Sequence, residues 1–431
     1  MTNLLTKVTL DNGLTVHLKE IHTAPIISHW VWYRVGSRDE IPGKTGISHW
    51  VEHMQFKGTS RYPSGKLDKA ISRDGGFWNA FTFLDWTAFF QTMPANKINL
   101  ALRLEADRMA NCTYAPDEVE SERTVILSER EGSENEPLFR LGREVQLNAF
   151  STHGYRSEII GEVEDLKSIT RDALYHHYRS YYQPNNAQVC VAGDFKTAAM
   201  LKKISRLYQD VPAGTHPPHP YQPQPARGGE KRVEVKGPGE TTFLQIAYRA
   251  PAASHPDFFA LSVLDSLLSG PSSLNMFGGG GISNKTSRLY QSLVEKELTV
   301  GVEGGLSATI DPYLYEITLT VHPEKTPDQV LEAVNREIQI LQAQKISEFE
   351  LQRAIKQARA LFAYGNENIT NQAFWLGYAD MFESYTWFEN YVQRLETITP
   401  DDVLRVAQTY LTPSNRVVGV YIPVNHKEKT E

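Results

Sequence analysis

The segment GISHWVEHMQFKGT, residues 46–59, decides how the rest of the chain is interpreted, because it places two histidines and a carboxylate on one short stretch. His49 and His53 are four residues apart, so a helix through them would carry both imidazoles on one face, one above the other. Glu52 lies beside them, three residues after His49. This spacing predicts a helix with a face that can hold a metal.

A catalytic zinc ion takes three protein ligands and keeps a fourth position for water, which it acidifies until the water can attack a peptide carbonyl. The sequence HWVEH supplies two imidazole ligands and one candidate base. Its order, H-x-x-E-H, is the reverse of the H-E-x-x-H zincin motif and is the inverted-zincin signature. The alternative is a buried helix whose histidines are hydrogen-bonded core residues, and the motif alone leaves both interpretations open.

Length and composition indicate an ordinary soluble protein with more than one domain. A single core usually stops growing well below 431 residues, so two domains are expected. Apolar residues make up 41% and charged residues 22% of the chain, which is typical of globular proteins. The net charge of -7 and the pI near 6.0 argue against a nucleic-acid partner bound through bulk electrostatics.

The number of cysteines and the lack of long apolar segments predict where in the cell the protein is located. Cys112 and Cys190 are the only cysteines, and two thiols so far apart cannot make a disulfide framework. The first residues, MTNLLTKVTLDNG, lack the features of a signal peptide, and no stretch approaches the roughly 20 apolar residues of a membrane span. We therefore predict a cytoplasmic protein without a membrane partner, although a processed mature form would look the same.

Strands and helices are predicted on both sides of the motif from β-branched density, turn residues and apolar stripes. The predicted strands are a hairpin at 7–19, a buried strand from Pro25 and a pair of strands from Phe77, and the predicted helices run from about 64 to 73, after Pro94 and from Pro116.

The helix PDEVESERTVILSEREGSE, which begins at Pro116, carries many acidic residues. Glu122 and Glu129 are seven residues apart, or two turns, and so lie on nearly the same stripe. Charge runs of this kind are usually solvated helix faces, and that is the simplest interpretation of either residue alone. A two-histidine site that lacks a carboxylate ligand makes both of them candidates.

Two segments of the chain repeat each other. LKSITRDALYHHYRSYYQPNNAQVCV, from Leu166, and LETITPDDVLRVAQTYLTPSNRVVGV, from Leu395, share Leu, Ile-Thr, Tyr, Pro, Asn and Val at one constant offset. Both halves of the chain therefore end in the same helix-turn-strand unit. Each half mixes strands and helices without a regular βαβ alternation, which favours an α+β fold. Only the first copy carries H-x-x-E-H.

A stretch rich in proline and glycine, PAGTHPPHPYQPQPARGGE at 212–230, separates the two halves. Such a composition predicts an extended linker, and we interpret His216 and His219 within it as solvent-exposed spacers. The predicted domains are therefore residues 1–211, with the zinc-binding motif, and residues 231–431, without it.

Over nearly its whole length the chain resembles the pitrilysin family of inverted zincins, in particular the branch of mitochondrial processing peptidase and its bacterial relatives. The matching segments follow in the family's order: LDNGLTV, RVGSRDE, GISHWVEHMQFKGT, GGFWNAFTFLDWT, ERTVILSERE, YYQPNNAQVCVAGD and SRLYQSLVEKE. The resemblance implies a zinc endopeptidase with two homologous domains, each a mainly antiparallel sheet packed with helices. The two domains would face each other as a clamp that admits peptides or unfolded segments and excludes folded proteins by size.

The resemblance also assigns roles around the metal. It implies one zinc ion per chain on His49, His53 and Glu129, with Glu122 orienting a ligand. Glu52 would then take a proton from the attacking water and pass it to the leaving amine.

Two further segments are implied to contact substrate. In the family, the strand that contains Asn79 and Ala80 is a sheet edge to which the peptide adds as an extra strand. The run Gly278–Gly281 resembles the glycine-rich loop of the non-catalytic partner subunit of mitochondrial processing peptidase. A flexible surface loop is the alternative for that run.

The chain departs from the family in its second half. Family members that are active alone carry an arginine and, seven residues later, a tyrosine that reach the substrate carbonyl. In VEKELTVG these positions are Val294 and Gly301, neither of which has a side-chain donor. Tyr290 and Tyr315 are possible substitutes. We therefore predict a heterodimer with a homologous subunit that supplies the pair, and the alternative is a scaffold subunit that keeps the fold without turnover.

Overall fold

Each half of the sequence contributes one sheet. The computed structural model describes residues 5–215, 217, 219, 223–225, 228–275 and 282–424. The strands are β1 (Thr6–Thr9), β2 (Thr15–Glu20), β3 (Ile26–Tyr33), β4 (Phe77–Thr82), β5 (Thr87–Pro94), β6 (Ala187–Gly193), β7 (Lys231–Gly237), β8 (Phe243–Arg249), β9 (Thr299–Leu306), β10 (Leu314–Val321) and β11 (Arg416–Pro423). The helices are α1 (Ile47–Gln55), α2 (Leu67–Arg73), α3 (Asn99–Asn111), α4 (Pro116–Glu134), α5 (Pro137–Ala149), α6 (Val163–Ser168), α7 (Arg171–Tyr181), α8 (Thr197–Tyr208), α9 (Asp257–Leu268), α10 (Pro327–Ala343), α11 (Glu348–Tyr364), α12 (Ile369–Phe382), α13 (Tyr385–Glu396) and α14 (Pro400–Tyr410).

The elements predicted around the motif are confirmed, with small shifts at their ends. β1 and β2 form the hairpin, β3 is the buried strand, and β4 and β5 are the predicted pair. The second helix begins at Leu67, three residues later than predicted, and a 3-10 turn over Ala95–Lys97 precedes α3.

The two sheets share one topology, which confirms the duplication and the α+β class. The first sheet has the order β1-β2-β6-β3-β5-β4 and the second has the order β7-β11-β8-β10-β9. Without β1, the two orders match strand for strand. In each sheet one pair is parallel, β2 with β6 and β7 with β11, and the other neighbours are antiparallel.

The repeated helix-turn-strand unit is present in both sheets with the same side-chain bonds. α7 leads through the 3-10 turn Pro184–Asn186 into β6, and α14 leads through Pro413–Asn415 into β11. Asn186 Nδ2 donates to the carbonyl oxygens of Tyr181 at 2.9 Å and Arg34 at 3.2 Å. Asn415 Nδ2 donates to those of Tyr410 at 2.8 Å and Arg249 at 2.9 Å. Each asparagine therefore ties the end of a helix to the end of the neighbouring strand.

We expect Asn186→Ala and Asn415→Ala each to lower the free energy of unfolding by about 1–3 kcal/mol, because each leaves carbonyl acceptors without a donor. Urea denaturation measures the loss. Asn111→Ala is the control, since the Asn111 amide donates to Asp107 on the surface. A loss for either asparagine no larger than that of Asn111→Ala would contradict the shared role.

Each sheet is covered by a helix from the other half of the sequence. One compact unit contains the described residues of Met1–Arg130, Ser157–Gln222 and Glu367–Tyr385, and the other contains those of Glu131–Arg156, Pro223–Asn366 and Thr386–Glu431. α12 therefore lies on the first sheet and α5 on the second. The predicted domains 1–211 and 231–431 correspond to the two sequence halves. The compact units differ from them because α5 belongs to the unit of the second half and α12 to the unit of the first half.

A glycine lies at the contact of α12 with the first sheet and another at the contact of α5 with the second sheet. A Cβ atom at Gly377 of α12 would lie 2.1 Å from Trp32 Nε1 of β3, and one at Gly419 of β11 would lie 2.5 Å from Val145 Cγ2 of α5. Real Cβ atoms do not approach so closely, so the helices can reach their sheets because these positions have no side chain.

Three remaining sequence expectations concern the linker, the cysteines and the membrane. His219 is exposed as predicted, but it is more than a spacer because its Nδ1 lies 2.9 Å from Asp39 Oδ1. His216 and the run Gly278–Gly281 lie outside the described residues. Cys112 and Cys190 are free thiols. Within the described ranges, no helix combines the length and apolar character needed to cross a bilayer.

Candidate metal centre

The motif forms helix α1, whose first turn is capped by a carboxylate from the preceding loop. Glu40 Oε2 accepts a hydrogen bond from the Gly46 backbone N–H at 2.8 Å, and Oε1 accepts one from that of Ser48 at 2.9 Å. Gly46 has φ +83°, and a Cβ atom there would lie 2.5 Å from the Ile160 carbonyl oxygen. The start of α1 therefore depends on a glycine and on an acceptor for its free N–H groups.

We expect Glu40→Ala to lower the free energy of unfolding by about 1–2 kcal/mol, because it removes both acceptors from the first turn of α1. Urea denaturation measures this effect. Glu40→Gln keeps one acceptor oxygen and is expected to lose less. Equal stability of Glu40→Ala and the wild type would show that water caps this helix end as well as the carboxylate does.

Three predicted ligands lie together at one face of α1. The Nε2 atoms of His49 and His53 are 3.2 Å apart, and His53 Nε2 lies 3.7 Å from Glu129 Oε2 of α4. One donor atom from each of the three residues lies within 4.8 Å of the others. Among the described residues, this is the one group of three or more such side chains that could hold a metal ion. Their assignment as ligands remains a prediction.

The spacing and chemistry of these donors fit a zinc ion. Two nitrogens at about 2.0–2.1 Å from a tetrahedral ion lie about 3.4 Å apart, close to the separation of the two Nε2 atoms. Two imidazoles and one carboxylate also form a familiar catalytic zinc ligand set, which leaves a fourth position open.

The electrostatic environment keeps His49 neutral and holds His53 through its Nδ1 atom. Burial, reinforced by the neighbouring His53, lowers the pKa of His49 to about 3, so this imidazole is neutral. His53 Nδ1 donates to Glu122 Oε1 at 2.8 Å. Burial lowers the pKa of His53, but the hydrogen bond with Glu122 and the negative charges of Glu52, Glu122 and Glu129 together outweigh burial, so the pKa is raised. With Nδ1 bonded to Glu122, Nε2 is the His53 nitrogen that faces the other donors, and its lone pair becomes available to a metal once Nε2 has lost its proton.

Glu122 is suited to hold His53 rather than to bind the metal itself. It is buried, and burial would raise its pKa, but its hydrogen bonds with His53 and Lys57 lower the pKa overall. Both of its oxygens are engaged, one by His53 Nδ1 and the other by Lys57 Nζ. An ionised carboxylate behind a ligating imidazole fixes the ring and increases its basicity. Glu122 therefore lies behind the His53 ring, and its role in orienting a metal ligand stays a prediction.

Glu52 lies on the same helix but outside the group of donors. The Thr82 hydroxyl, at the end of β4, donates to Glu52 Oε2 at 2.7 Å. Burial raises the pKa of Glu52 to about 7, against the opposing effect of that hydrogen bond. A carboxylate with such a pKa can both accept and release a proton near neutral pH, which suits a general base better than a ligand.

The predicted substrate strand is an edge strand. β4 is the last strand of its sheet and pairs with β5, so its outer side can accept another strand. Asn79 is exposed and Ala80 is buried. The Ala80 N–H already donates to Asn79 Oδ1 at 2.9 Å. Substrate binding at these two residues remains a prediction.

The second half of the chain shows where the missing donors would be. Val294 ends a turn over Tyr290–Val294, and Gly301 lies in β9. Tyr315 is buried with its hydroxyl 3.1 Å from Ser269 Oγ, so it cannot serve as the suggested substitute. Tyr290 is half-buried.

Sequence reasoning missed two members of the site, Thr82 and Lys57. Lys57 offered a signal, because it stands four residues after His53 in the segment that was already singled out. Thr82 offered none, since its contact with Glu52 depends on how β4 lies beside α1.

Fold and site together define a duplicated α+β protein with a candidate catalytic metal centre of the H-x-x-E-H type. The chain belongs to peptidase family M16. The family model described as insulinase (peptidase family M16) matches residues 15–162, and the model described as the peptidase M16 inactive domain matches residues 168–358. The predicted family is thus confirmed, and a metallopeptidase role is supported at the level of the family.

Similar proteins are named as zinc proteases. The zinc protease PqqE of Helicobacter pylori is 32% identical over 295 residues, which is 67% of this chain and 64% of that protein. An uncharacterised zinc protease of Streptomyces coelicolor is 26% identical over 424 residues, 96% of this chain and 89% of that protein. The crystal structure of a protease from Helicobacter pylori matches with a TM-score of 0.90 and 26% identity, over 98% of this chain and 100% of the other.

Proposed function

We propose that this chain is a zinc endopeptidase that cleaves peptides or unfolded segments. The observation that carries the proposal is the convergence of His49, His53 and Glu129 donors within 4.8 Å of one another. The buried carboxylate of Glu52 on the same helix adds a base, and the zinc-protease names of the relatives agree with this function.

The chemistry divides between the metal and the side chains. Zinc held by His49, His53 and Glu129 supplies Lewis-acid chemistry, which acidifies a water molecule and polarises a peptide carbonyl. Glu52 takes the proton of the attacking water and later delivers it to the leaving amine. Glu122 keeps the His53 ring in the tautomer that presents Nε2.

Metal analysis of the purified chain tests the proposal. After purification without a chelator we expect about one zinc per chain, and we expect His49→Ala to lose most of it. The exposed His176 provides a control, His176→Ala, that should keep the metal. Less than about half an equivalent of zinc in the wild type, with no uptake of added zinc, would contradict the proposal.

A non-catalytic scaffold subunit is the rival function. Loss of metal ligands would favour it, but all three donors are present and lie together. We propose instead that the chain is the catalytic subunit of a heterodimer, since Val294 and Gly301 leave its second half without the donor pair of single-chain relatives. We also propose a cytoplasmic location for this chain.

A further inference from the structure

We propose that Arg123 is a positioning residue of the metal centre, which holds α4, with Glu122 and Glu129, against α1, with the two histidines. This inference rests on the proposed metal site. Arg123 directly follows Glu122 in the chain, but its side chain donates to Glu120, Leu166 and Ile169 rather than to a predicted ligand or Glu52.

The guanidinium of Arg123 connects α4 to α1 through an aromatic ring. Its central carbon lies 4.7 Å from the centroid of the Trp50 ring, and Trp50 is fully buried next to His49. A guanidinium over a buried indole is attracted by the ring's negative face and packs flat against it. Arg123, which follows Glu122, therefore packs on Trp50, which follows the predicted ligand His49 in the motif helix.

The same guanidinium is bonded at its edge to the end of α6. Nη2 donates to the Ile169 carbonyl oxygen at 2.9 Å, and Nη1 donates to that of Leu166. These carbonyls close a short helix and have no helical donor of their own. Nε also donates to Glu120 at 2.9 Å, so Arg123 is held on its own helix as well.

α6 is in turn bound to the start of α1, which closes a ring of contacts. Asp165 Oδ2 accepts hydrogen bonds from the Thr45 backbone N–H at 3.0 Å and from the Thr45 hydroxyl at 2.6 Å. Thr45 directly precedes Gly46, the residue that caps the start of α1. The contacts therefore run from α1 through Asp165 to α6, from α6 to Arg123 on α4, and from Arg123 back to Trp50 on α1.

These contacts among α1, α6 and α4 matter for metal binding because α4 carries the third predicted ligand, Glu129, at an exposed position. Glu129 stands almost two turns beyond Arg123 and is exposed, so its position depends on how the whole helix lies. The bonds of Glu122 to His53 and Lys57 do not involve Arg123, so we expect them to persist in its variants. We therefore expect weakened metal binding and altered ligand geometry rather than complete loss of metal.

An arginine that serves only stability is the competing explanation, and the chain offers a matched control. Arg171 on α7 lies 4.6 Å from the Tyr175 ring and donates to the carbonyl oxygens of Tyr114 at 3.0 Å and Thr113 at 3.3 Å. It has the same type of ring and carbonyl contacts as Arg123, but its partners carry no predicted ligand.

The experiment compares zinc dissociation constants, by chelator competition, for the full-length wild type, Arg123→Met, Arg123→Lys and Arg171→Met. We expect Arg123→Met to weaken zinc binding by about 10-fold or more and Arg171→Met to leave it within about twofold. Arg123→Lys should behave like Arg123→Met, because an ammonium keeps the charge but not the planar fork. The visible spectrum of the Co²⁺-loaded protein should change in both Arg123 variants and stay unchanged in Arg171→Met.

Unchanged zinc affinity and Co²⁺ spectra in the Arg123 variants, with apo-protein melting lowered as in Arg171→Met, would overturn the inference and leave Arg123 a purely structural residue. Should Arg123→Met fail to fold, Arg123→Lys decides by the same two readouts. A wild type that binds neither Zn²⁺ nor Co²⁺ overturns the proposed function together with this inference. Normal metal binding by every variant overturns this inference alone.

Discussion

Glu52→Gln is expected to reduce peptide hydrolysis by about 10²–10⁴-fold while zinc stays bound. Glu52 lies outside the group of donor atoms, and its carboxylate is held by the Thr82 hydroxyl at 2.7 Å. Glutamine has nearly the same shape and can still contact Thr82, but it cannot accept the proton of the attacking water. Turnover of a fluorogenic peptide and zinc content measured on the same sample test the two parts of this expectation.

Glu129→Gln is the informative comparison, because it alters a predicted ligand on another helix. We expect it to weaken zinc binding itself, so that added zinc restores part of the activity. Glu131→Gln, an exposed glutamate on the same helix, controls for the loss of one negative charge and should change neither quantity. Equal zinc loss in Glu52→Gln and Glu129→Gln would mean that base and ligand have been assigned wrongly.

The motif helix could be predicted from sequence because everything it needs is local. Two histidines at a spacing of four share a helix face whatever the rest of the fold does. Glu129 is different, because it is 76 residues beyond His53 and reaches it only through the packing of α4. The residues alone left Glu129 a solvated acid, and the family resemblance singled it out.

The duplication could also be predicted from the sequence, because the repeated side chains make the same hydrogen bonds in both halves and therefore recur at the same spacing. Asn186 and Asn415 share one register in the sequence and one pair of carbonyl acceptors in the fold. The sequence did not predict that α5 packs on the sheet of the second half and α12 on the sheet of the first half. An apolar helix face shows that a helix is buried, but it does not say which of two similar sheets covers it. Gly377 and Gly419 offered a signal only after their neighbours were known.

The chain alone is expected to cleave peptides slowly, and a homologous subunit with the arginine and tyrosine is expected to raise the rate by about 10²-fold or more. The first half holds the residues that we propose to activate water, whereas Val294 and Gly301 offer no side-chain donor to the carbonyl oxygen. Tyr315 is occupied by Ser269 and cannot replace them. Cleavage by this chain, by the candidate partner and by their mixture measures the effect.

The missing pair can also be tested within this chain. Val294→Arg with Gly301→Tyr installs both residues, and the fold has room for the second, since a Cβ atom at Gly301 would meet nothing closer than Thr320 Oγ1 at 3.8 Å. We expect the double variant to cleave peptides faster without a partner, and the gain to vanish when Glu52→Gln is added. The exposed Val300 supplies a control, Val300→Tyr, which adds a phenol at the neighbouring position of β9 and should not raise the rate.

Full activity of the wild-type chain by itself would contradict the heterodimer and direct attention to Tyr290. In that case Tyr290→Phe should lower the rate by a factor similar to the loss of one transition-state donor, about 10²–10³-fold. A homodimer does not rescue the heterodimer argument, because a second copy brings the same Val294 and Gly301. The heterodimer predicts that only the mixture of the two chains is active. This activity should be lost on Glu52→Gln in this chain or on Arg→Ala in the partner, because each chain supplies residues that the other lacks.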